Sequence, residues 1–454
     1  MEGAALNCLL EPLKRGGGIV SDRIHILAPP GGERGVFVRK QEPADNFNSS
    51  DVAIAPLLRI PRSLIITSTV AANSEIVGAC CASMERNDTK ISESTLIALF
   101  IFTEKALGDK SCWKWYLDTL PTSGSGALYF NHEELCALDG TPLRAAAESK
   151  QRHLRQQFAC FTDPLASWKH AQKIDAPVGF EEFKWANFVV LSRAISLRSF
   201  SESGDGYADA HAGCDRALLP ALDMFNHSDR PSAFWSVNQD GSVSVYAPET
   251  PTGPGVVING EHLTELHFTY GEKPNTEWLY EHGFIPENNE HDAWPYLIEP
   301  SGSAQLMSIK QMWMSELGLL PRVIFADPAS TGGGSDGQGS GCYISREAIV
   351  ALCLAAISDT SDACASAVGT VTLDFPYFII DGELLIDDDD TLLLVPGLRR
   401  FALDMCIGRL QNAMHTMAEK ANQLSLISTS AIKAYLLAEF RLLRQVIAAL
   451  DWLR

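Results

Sequence analysis

The sequence predicts an α+β protein in which a helical block interrupts a β-rich region and a second helical block follows it. Three observations carry this. Short alternating or β-branched runs fill residues 19–70 and return over 217–285. Between them, apolar residues recur at helical spacing from 94 to 199. Beyond 290 the pattern is mainly helical again. Strand-rich and helix-rich blocks that do not alternate one for one point to α+β rather than a parallel α/β sheet.

The first strand block contains Ile24–Leu27, Gly35–Val38 and Leu57–Ile60, with Pro29-Pro30-Gly31-Gly32 separating the first two. The polar segment Asp45–Asp51 reads as a loop. Leu96, Leu99, Phe100, Phe102 and Leu107 lie near helical spacing within Ser94–Gly108, and Cys112–Leu120 continues with Trp113, Tyr116 and Leu117. Pro142–Ala159 and Phe180–Ser199 are further helices by the same criterion. The second strand block opens with Phe234–Val237 and Val243–Tyr246 about Asp240-Gly241, a hairpin signal. Glu265–Tyr270 is a third short strand. Near the C-terminus, Ile432, Leu436, Glu439, Phe440, Leu443, Val446, Ile447 and Leu450 follow a 3.6-residue period with one charged member, Glu439.

The composition narrows the function. The chain has 454 residues, enough for two or three domains with a sizeable core. Its net charge of −20 repels phosphate backbones and argues against nucleic acid. The same charge attracts a basic protein partner, although its plainest role is solubility. The eleven cysteines include no C-x-x-C pair, so zinc spacing is absent and reduced thiols are expected. His132, Asp209 and His211 lie in polar segments without a complete ligand set, and no metal is expected. The acidic run Asp387–Asp390 reads as a solvated turn. No secretion signal and no run of about 18 uncharged apolar residues appear, so a soluble monomer of cytoplasm or nucleus is expected, without a membrane partner.

The chemistry lies in two stretches, Leu218–Ser228, which ends in Asn226-His227-Ser228, and Phe268–Phe284, which begins Phe268-Thr269-Tyr270-Gly271. Each sets polar groups against an apolar segment, where they must find partners from protein, water or ligand. Taken singly, Asn226-His227 reads as a satisfied pair closing a turn, and Tyr270 as a core tyrosine with a satisfied hydroxyl.

Together the two stretches resemble the paired signature motifs of the SET domain, in the same order. Glu33-Arg34-Gly35-Val36 is similar to the glycine-containing turn that opens such domains. Leu96–Pro121, Leu128–Phe130, Glu133–Leu135, Leu138–Thr141, Trp185 and Ser192-Arg193 are similar to the helical insertion of the branch typified by the Rubisco large-subunit lysine methyltransferase. The resemblance covers roughly 22–290 and, more loosely, the helical remainder.

That resemblance implies an N-terminal extension (1–21) and a SET domain (22–290) whose helical insertion covers about 75–205. It also implies an all-α C-terminal substrate-binding domain (291–454), with a flexible loop at about 327–341. It implies S-adenosylmethionine as cofactor, held by Arg34, Val36, Arg193, Asp223, Asn226, His227, Tyr270 and Phe284. Tyr270 would be the catalytic residue, and Ile195, Leu222 and His282 would line the substrate channel. The implied activity is methyl transfer to a side-chain nitrogen of a protein, lysine first. Lysine-modifying relatives often carry Tyr where His282 stands. The histidine-methylating branch carries Asn and Trp at the positions aligned here with Ile195 and Leu222. The opening turn also departs from the common Glu-Gly-x-Gly, which displaces its carboxylate to Glu33. A histidine methyltransferase of this fold and an inactive SET protein acting as a binding module are the alternatives.

Overall fold

The computed structural model describes residues 2–29, 32–39, 55–86, 91–197, 216–248, 255–258, 260–298, 307, 322–326, 351–352, 371–372, 379–380, 383–384, 396–423 and 430–453. The loop expected at 327–341, the segment Asp45–Asp51, the run Asp387–Asp390, Asp209 and His211 lie outside the described residues.

In chain order the first elements are α1 (Glu2–Arg15), β1 (Ile19–Val20), β2 (Ile24–Leu27), β3 (Gly35–Arg39), β4 (Leu58–Ile60) and β5 (Ile66–Thr67). Helices α2 (Ser68–Ala72), α3 (Glu75–Glu85), α4 (Glu93–Leu107), α5 (Lys114–Leu117), α6 (His132–Ala137), α7 (Pro142–Gln172) and α8 (Phe180–Arg193) follow. Strands then return as β6 (Ile195–Ser196), β7 (Arg216–Leu218), β8 (Asn226–His227), β9 (Phe234–Val237), β10 (Val243–Tyr246), β11 (Gly255–Ile258) and β12 (Glu261–Phe268). Last come α9 (Asn275–Glu281), β13 (Ala293–Leu297), β14 (Arg322–Ala326), β15 (Val371–Thr372), β16 (Ile379–Ile380), β17 (Glu383–Leu384), α10 (Pro396–Gln423) and α11 (Ser430–Leu453).

The chain divides into two compact units, Met1–Leu128 with Gln151–Glu272, and Tyr129–Lys150 with Lys273–Arg454. Among the described residues the first holds three small sheets, with strand orders β1-β4-β10-β9, β11-β12-β3-β2 and β5-β7-β6. The β9–β10 hairpin pairs Phe234 with Tyr246 and Val237 with Val243. Gly241 turns it at φ 76°, a left-handed conformation that favours glycine. Strand β3 lies between β2 and β12. Gly35 to Val38 are therefore all buried, where an exposed strand would alternate. Helix α4 starts at Ser92, whose hydroxyl accepts from Thr95 N, and Gly108 ends it. Residues 97–102 are buried without a break, because α2, α3 and α8 surround the helix. This accounts for the absence of a single apolar stripe.

In the second unit α10 packs on α6 and α11, and α11 packs on α9. The expected helical character is present. Two antiparallel elements, β13–β14 and β15–β16–β17, accompany the helices. The buried face of α11 carries Ile432, Tyr435, Leu436, Leu443, Val446 and Leu450, as its periodicity requires. Among the described residues no helix is long and apolar enough to cross a membrane.

Candidate functional site

Nine of the singled-out residues, Arg34, Val36, Arg193, Ile195, Leu222, Asp223, Asn226, His227 and Tyr270, belong to the first unit. His282 and Phe284 belong to the second.

Strand β8 runs parallel to the end of β12, with Asn226 opposite His267 and His227 opposite Phe268. This short pairing joins the two motifs. Asn226 Nδ2 donates to Arg34 O at 3.0 Å and to Glu265 Oε1 at 2.8 Å. Both amide hydrogens are thereby engaged with acceptors, which fixes the amide orientation and presents Oδ1 as the acceptor. Gly35 is the residue that permits this arrangement. A Cβ there would overlap Glu265 Oε1 and lie 3.1 Å from Asn226 Nδ2. Val36, next in β3, is fully buried, while Glu33 is exposed.

His227 Nδ1 accepts from the Tyr270 backbone N–H at 3.2 Å, and Nε2 lies 3.0 Å from Asp229 Oδ1. In the neutral ring the proton therefore resides on Nε2 and is donated to the carboxylate. The Tyr270 hydroxyl donates to Phe225 O at 2.6 Å. Burial pushes this phenol up to about 12, so it is neutral throughout the physiological range. The Phe225 and Phe268 rings stack at 4.1 Å and pin the strand ends on either side. Leu222 is buried and opens a short 3-10 turn. The preceding Ala221 has φ 73° and ψ −31°, a strained conformation for a residue with a Cβ.

A charged cluster completes the site. The Asp223 side chain is 0% exposed. Its Oδ2 accepts from Tyr116 Oη at 2.8 Å. Arg193, the last residue of α8, donates from Nη1 to Asp223 O at 2.6 Å, and the same nitrogen lies 3.8 Å from Oδ2. Arg34 Nη1 donates to Thr119 O at 2.6 Å. Burial, reinforced by the neighbouring Arg193, lowers the Arg34 pKa, and burial raises that of Asp223. Asp223 Oδ1 and Arg193 Nε are both buried without a hydrogen-bond partner. Two guanidiniums against one carboxylate leave positive charge uncompensated in a poorly hydrated place. Such a site suits a ligand carboxylate, with the unpartnered acid oxygen beside it suited to an ammonium.

Ile195 begins β6, is half-buried, and pairs with Ala217 of β7. His282 and Phe284 flank Gly283 at the end of α9. Their rings lie 5.1 Å and 5.5 Å from that of Trp278, and 5.9 Å from each other. His282 is thus a packed ring, and Phe284 is 40% exposed. Among the described residues no group of three or more His, Cys, Asp or Glu is arranged to hold a metal.

Two members of the site escape sequence reasoning. Glu265 lies on the face of β12 opposite the buried Leu266 and Phe268, so a half-buried carboxylate away from that core face was a readable signal. Tyr116 is spaced as a core aromatic. Nothing local tells that its hydroxyl meets a carboxylate 107 residues away.

No protein-family model matches the chain. Over 272 residues, 59% of this chain, it is 25% identical to the actin-histidine N-methyltransferase of Mus musculus. The enzyme of that name from Homo sapiens is 24% identical over the same length. The chain spans about two fifths of the length of these relatives, 42%. Among solved structures, Rubisco LSMT bound to AdoMet superposes with a TM-score of 0.66 at 17% identity, covering 99% of this chain and 92% of that one. The SET domain of LSMT bound to MeLysine and AdoHcy gives 0.65 at 17% identity, with 99% and 91% covered.

Proposed function

We propose that this chain, whose fold is that of the SET domain of Rubisco LSMT, is an S-adenosylmethionine-dependent protein N-methyltransferase. One observation carries the reading. The opening turn at Arg34, the Asn226-His227 segment and Tyr270 are tied into one site by the Asn226–Arg34, Tyr270–His227 and Tyr270–Phe225 hydrogen bonds. The unpartnered Arg193 Nε and Asp223 Oδ1 suit the amino-acid end of the cofactor. When bound, S-adenosylmethionine supplies an electrophilic methyl group on a sulfonium sulfur.

The chain's residues align and desolvate the acceptor nitrogen. A lysine ammonium has a pKa of about 10.4 in water, and a dry channel lowers it by disfavouring the charge. Tyr270, with its phenol pushed up to about 12, is no base. Its hydroxyl donates to Phe225 O, and a donating hydroxyl can still accept. That geometry suits orienting an amine N–H so that the nitrogen lone pair faces the methyl group. Val36, Leu222 and Phe225, all buried, exclude water around it.

Lysine is the acceptor we propose, because the aligned positions Ile195 and Leu222 are apolar and offer an imidazole no hydrogen bond. Histidine is the second reading, favoured by the 25% identity to actin-histidine N-methyltransferases. The protein substrate is basic, in keeping with the charge of −20. The test is transfer of a radiolabelled methyl group from S-adenosylmethionine to cell-extract proteins, with Tyr270→Phe as control, followed by amino-acid analysis of the label. Methyl-lysine is expected. Methyl-histidine would replace lysine by the second reading. Cofactor binding with no labelled band would overturn enzymatic activity in favour of a binding module.

A further inference from the structure

The Tyr116–Asp223 contact has a role that the proposed reaction leaves unassigned. Tyr116 lies in α5, is fully buried, and gives its hydroxyl proton to one oxygen of a fully buried carboxylate. A buried phenol needs an acceptor, but any main-chain carbonyl would satisfy it. Here it meets a carboxylate that faces Arg193 and Arg34. The phenol holds Oδ2, and this fixes the plane of the carboxylate about its Cβ–Cγ bond. Oδ1 is left buried and unpartnered. Arg193 is anchored instead by the Asp223 main-chain oxygen at 2.6 Å, with its Nη1 3.8 Å from Oδ2 and its Nε unpartnered. A carboxylate released from the phenol could rotate and tighten that 3.8 Å ion pair with Arg193 to direct hydrogen-bond contact. The guanidinium would then be engaged inside the protein, and the ligand-facing charge would be lost.

We propose that Tyr116 is a positioning residue. By holding Asp223 through Oδ2 it keeps Arg193 available to a ligand carboxylate and Asp223 Oδ1 available to the adjacent ammonium. This rests on the cofactor reading above and sharpens it, because it assigns the α-amino-acid end of S-adenosylmethionine to a pair of groups that Tyr116 keeps apart. The adenosine portion of the same molecule is indifferent to the phenol.

The test exploits that difference. Tyr116→Phe removes one oxygen and keeps the ring that fills the core. Calorimetric titration of the whole 454-residue chain with S-adenosylmethionine and with 5′-methylthioadenosine, which has the nucleoside and sulfur but no amino-acid tail, separates positioning from general loosening. The variant is expected to bind S-adenosylmethionine about tenfold more weakly, the worth of one hydrogen bond to a charged group. Its affinity for 5′-methylthioadenosine is expected to match that of the unaltered protein. In turnover, the KM for the cofactor rises by more than kcat falls. Equal weakening of both ligands assigns Tyr116 a structural role and overturns the proposal, as does unaltered S-adenosylmethionine affinity. If the unaltered protein binds neither ligand, the cofactor reading itself fails and the proposal falls with it.

Discussion

At Tyr270 a phenol is held in its neutral form by burial, while its proton points to a main-chain carbonyl. Such a group orients and polarises but does not take a proton near neutral pH. Tyr270→Phe is therefore expected to lower kcat by about 10²-fold, typical for loss of one preorganised polar group, with cofactor affinity retained. Steady-state kinetics beside calorimetric binding would check the split. Since the folded-state value of about 12 lies above the tyrosine value in an unfolded chain, the stability it contributes is complete below about pH 10. That stability is lost as the pH climbs toward 12. A pH–rate profile should accordingly show no limb from this residue below about pH 10. Gly35 makes the complementary point. Gly35→Ala puts a methyl group against Glu265 Oε1 and Asn226 Nδ2, and overpacking of this kind costs about 1–3 kcal/mol. Denaturant titration should register that loss, and S-adenosylmethionine affinity should fall with it. Much of this was legible. The Asn-His and Tyr-Gly motifs and the opening turn were singled out in the sequence, and hydrogen bonds bring the three together. Glu265 and Tyr116 were not identified: strand alternation marked Glu265 as half-buried, but the partner of either residue, distant in sequence, leaves no local trace.

At the level of elements, periodicity located what packing later explained. The β9–β10 hairpin falls where Asp240-Gly241 places it, because Gly241 supplies the left-handed residue, φ 76°, that lets the connection 238–242 reverse the chain. Helix α11 follows its apolar period, including the anomaly at Glu439. That carboxyl is 0% exposed. Its Oε1 lies 3.3 Å from Thr276 Oγ1, and its Oε2 has no partner. Tyr435 on the same helix and Asp292 from the β13 side also face it. Burial pushes Glu439 well above the usual carboxyl range, and Asp292 pushes in the same direction. A raised folded-state pKa means that its stabilisation is present below about pH 4.3, the unfolded value, and is lost as the pH rises through the folded value. Glu439→Gln, which cannot ionise, should raise the melting temperature at pH 8 by about 2–4 °C, and the gain should vanish as the pH approaches 4. Calorimetric scans across that range would show it. The strands β13 to β17 were not legible. They are two to five residues long, too short for a period-2 signal to stand out from a helical background.

For the molecule as a whole, the charge of −20 sets the terms of any encounter with a basic protein. With a basic acceptor protein, the substrate KM is expected to rise several-fold as salt is raised from about 0.05 to 0.3 M, because screening shortens the reach of the attraction. The KM for S-adenosylmethionine, bound among buried groups, should change little. Initial rates at the two ionic strengths would tell the two apart.

The order in which the chain contributes to its two units has a further result for synthesis. Each unit is assembled from two separated stretches, and the stretches interleave: 1–128 and 151–272 for one, 129–150 and 273–454 for the other. As the polypeptide leaves the ribosome, residues 129–150 emerge long before their partners. Leu138, Leu143 and Ala147, all buried at the end, must wait uncovered until the later helices arrive. Long-range closure of this kind slows folding and exposes sticky surface meanwhile. A product cut after the last strand of the first unit would strand that stretch permanently. It should accumulate as insoluble material, not as a separable catalytic half.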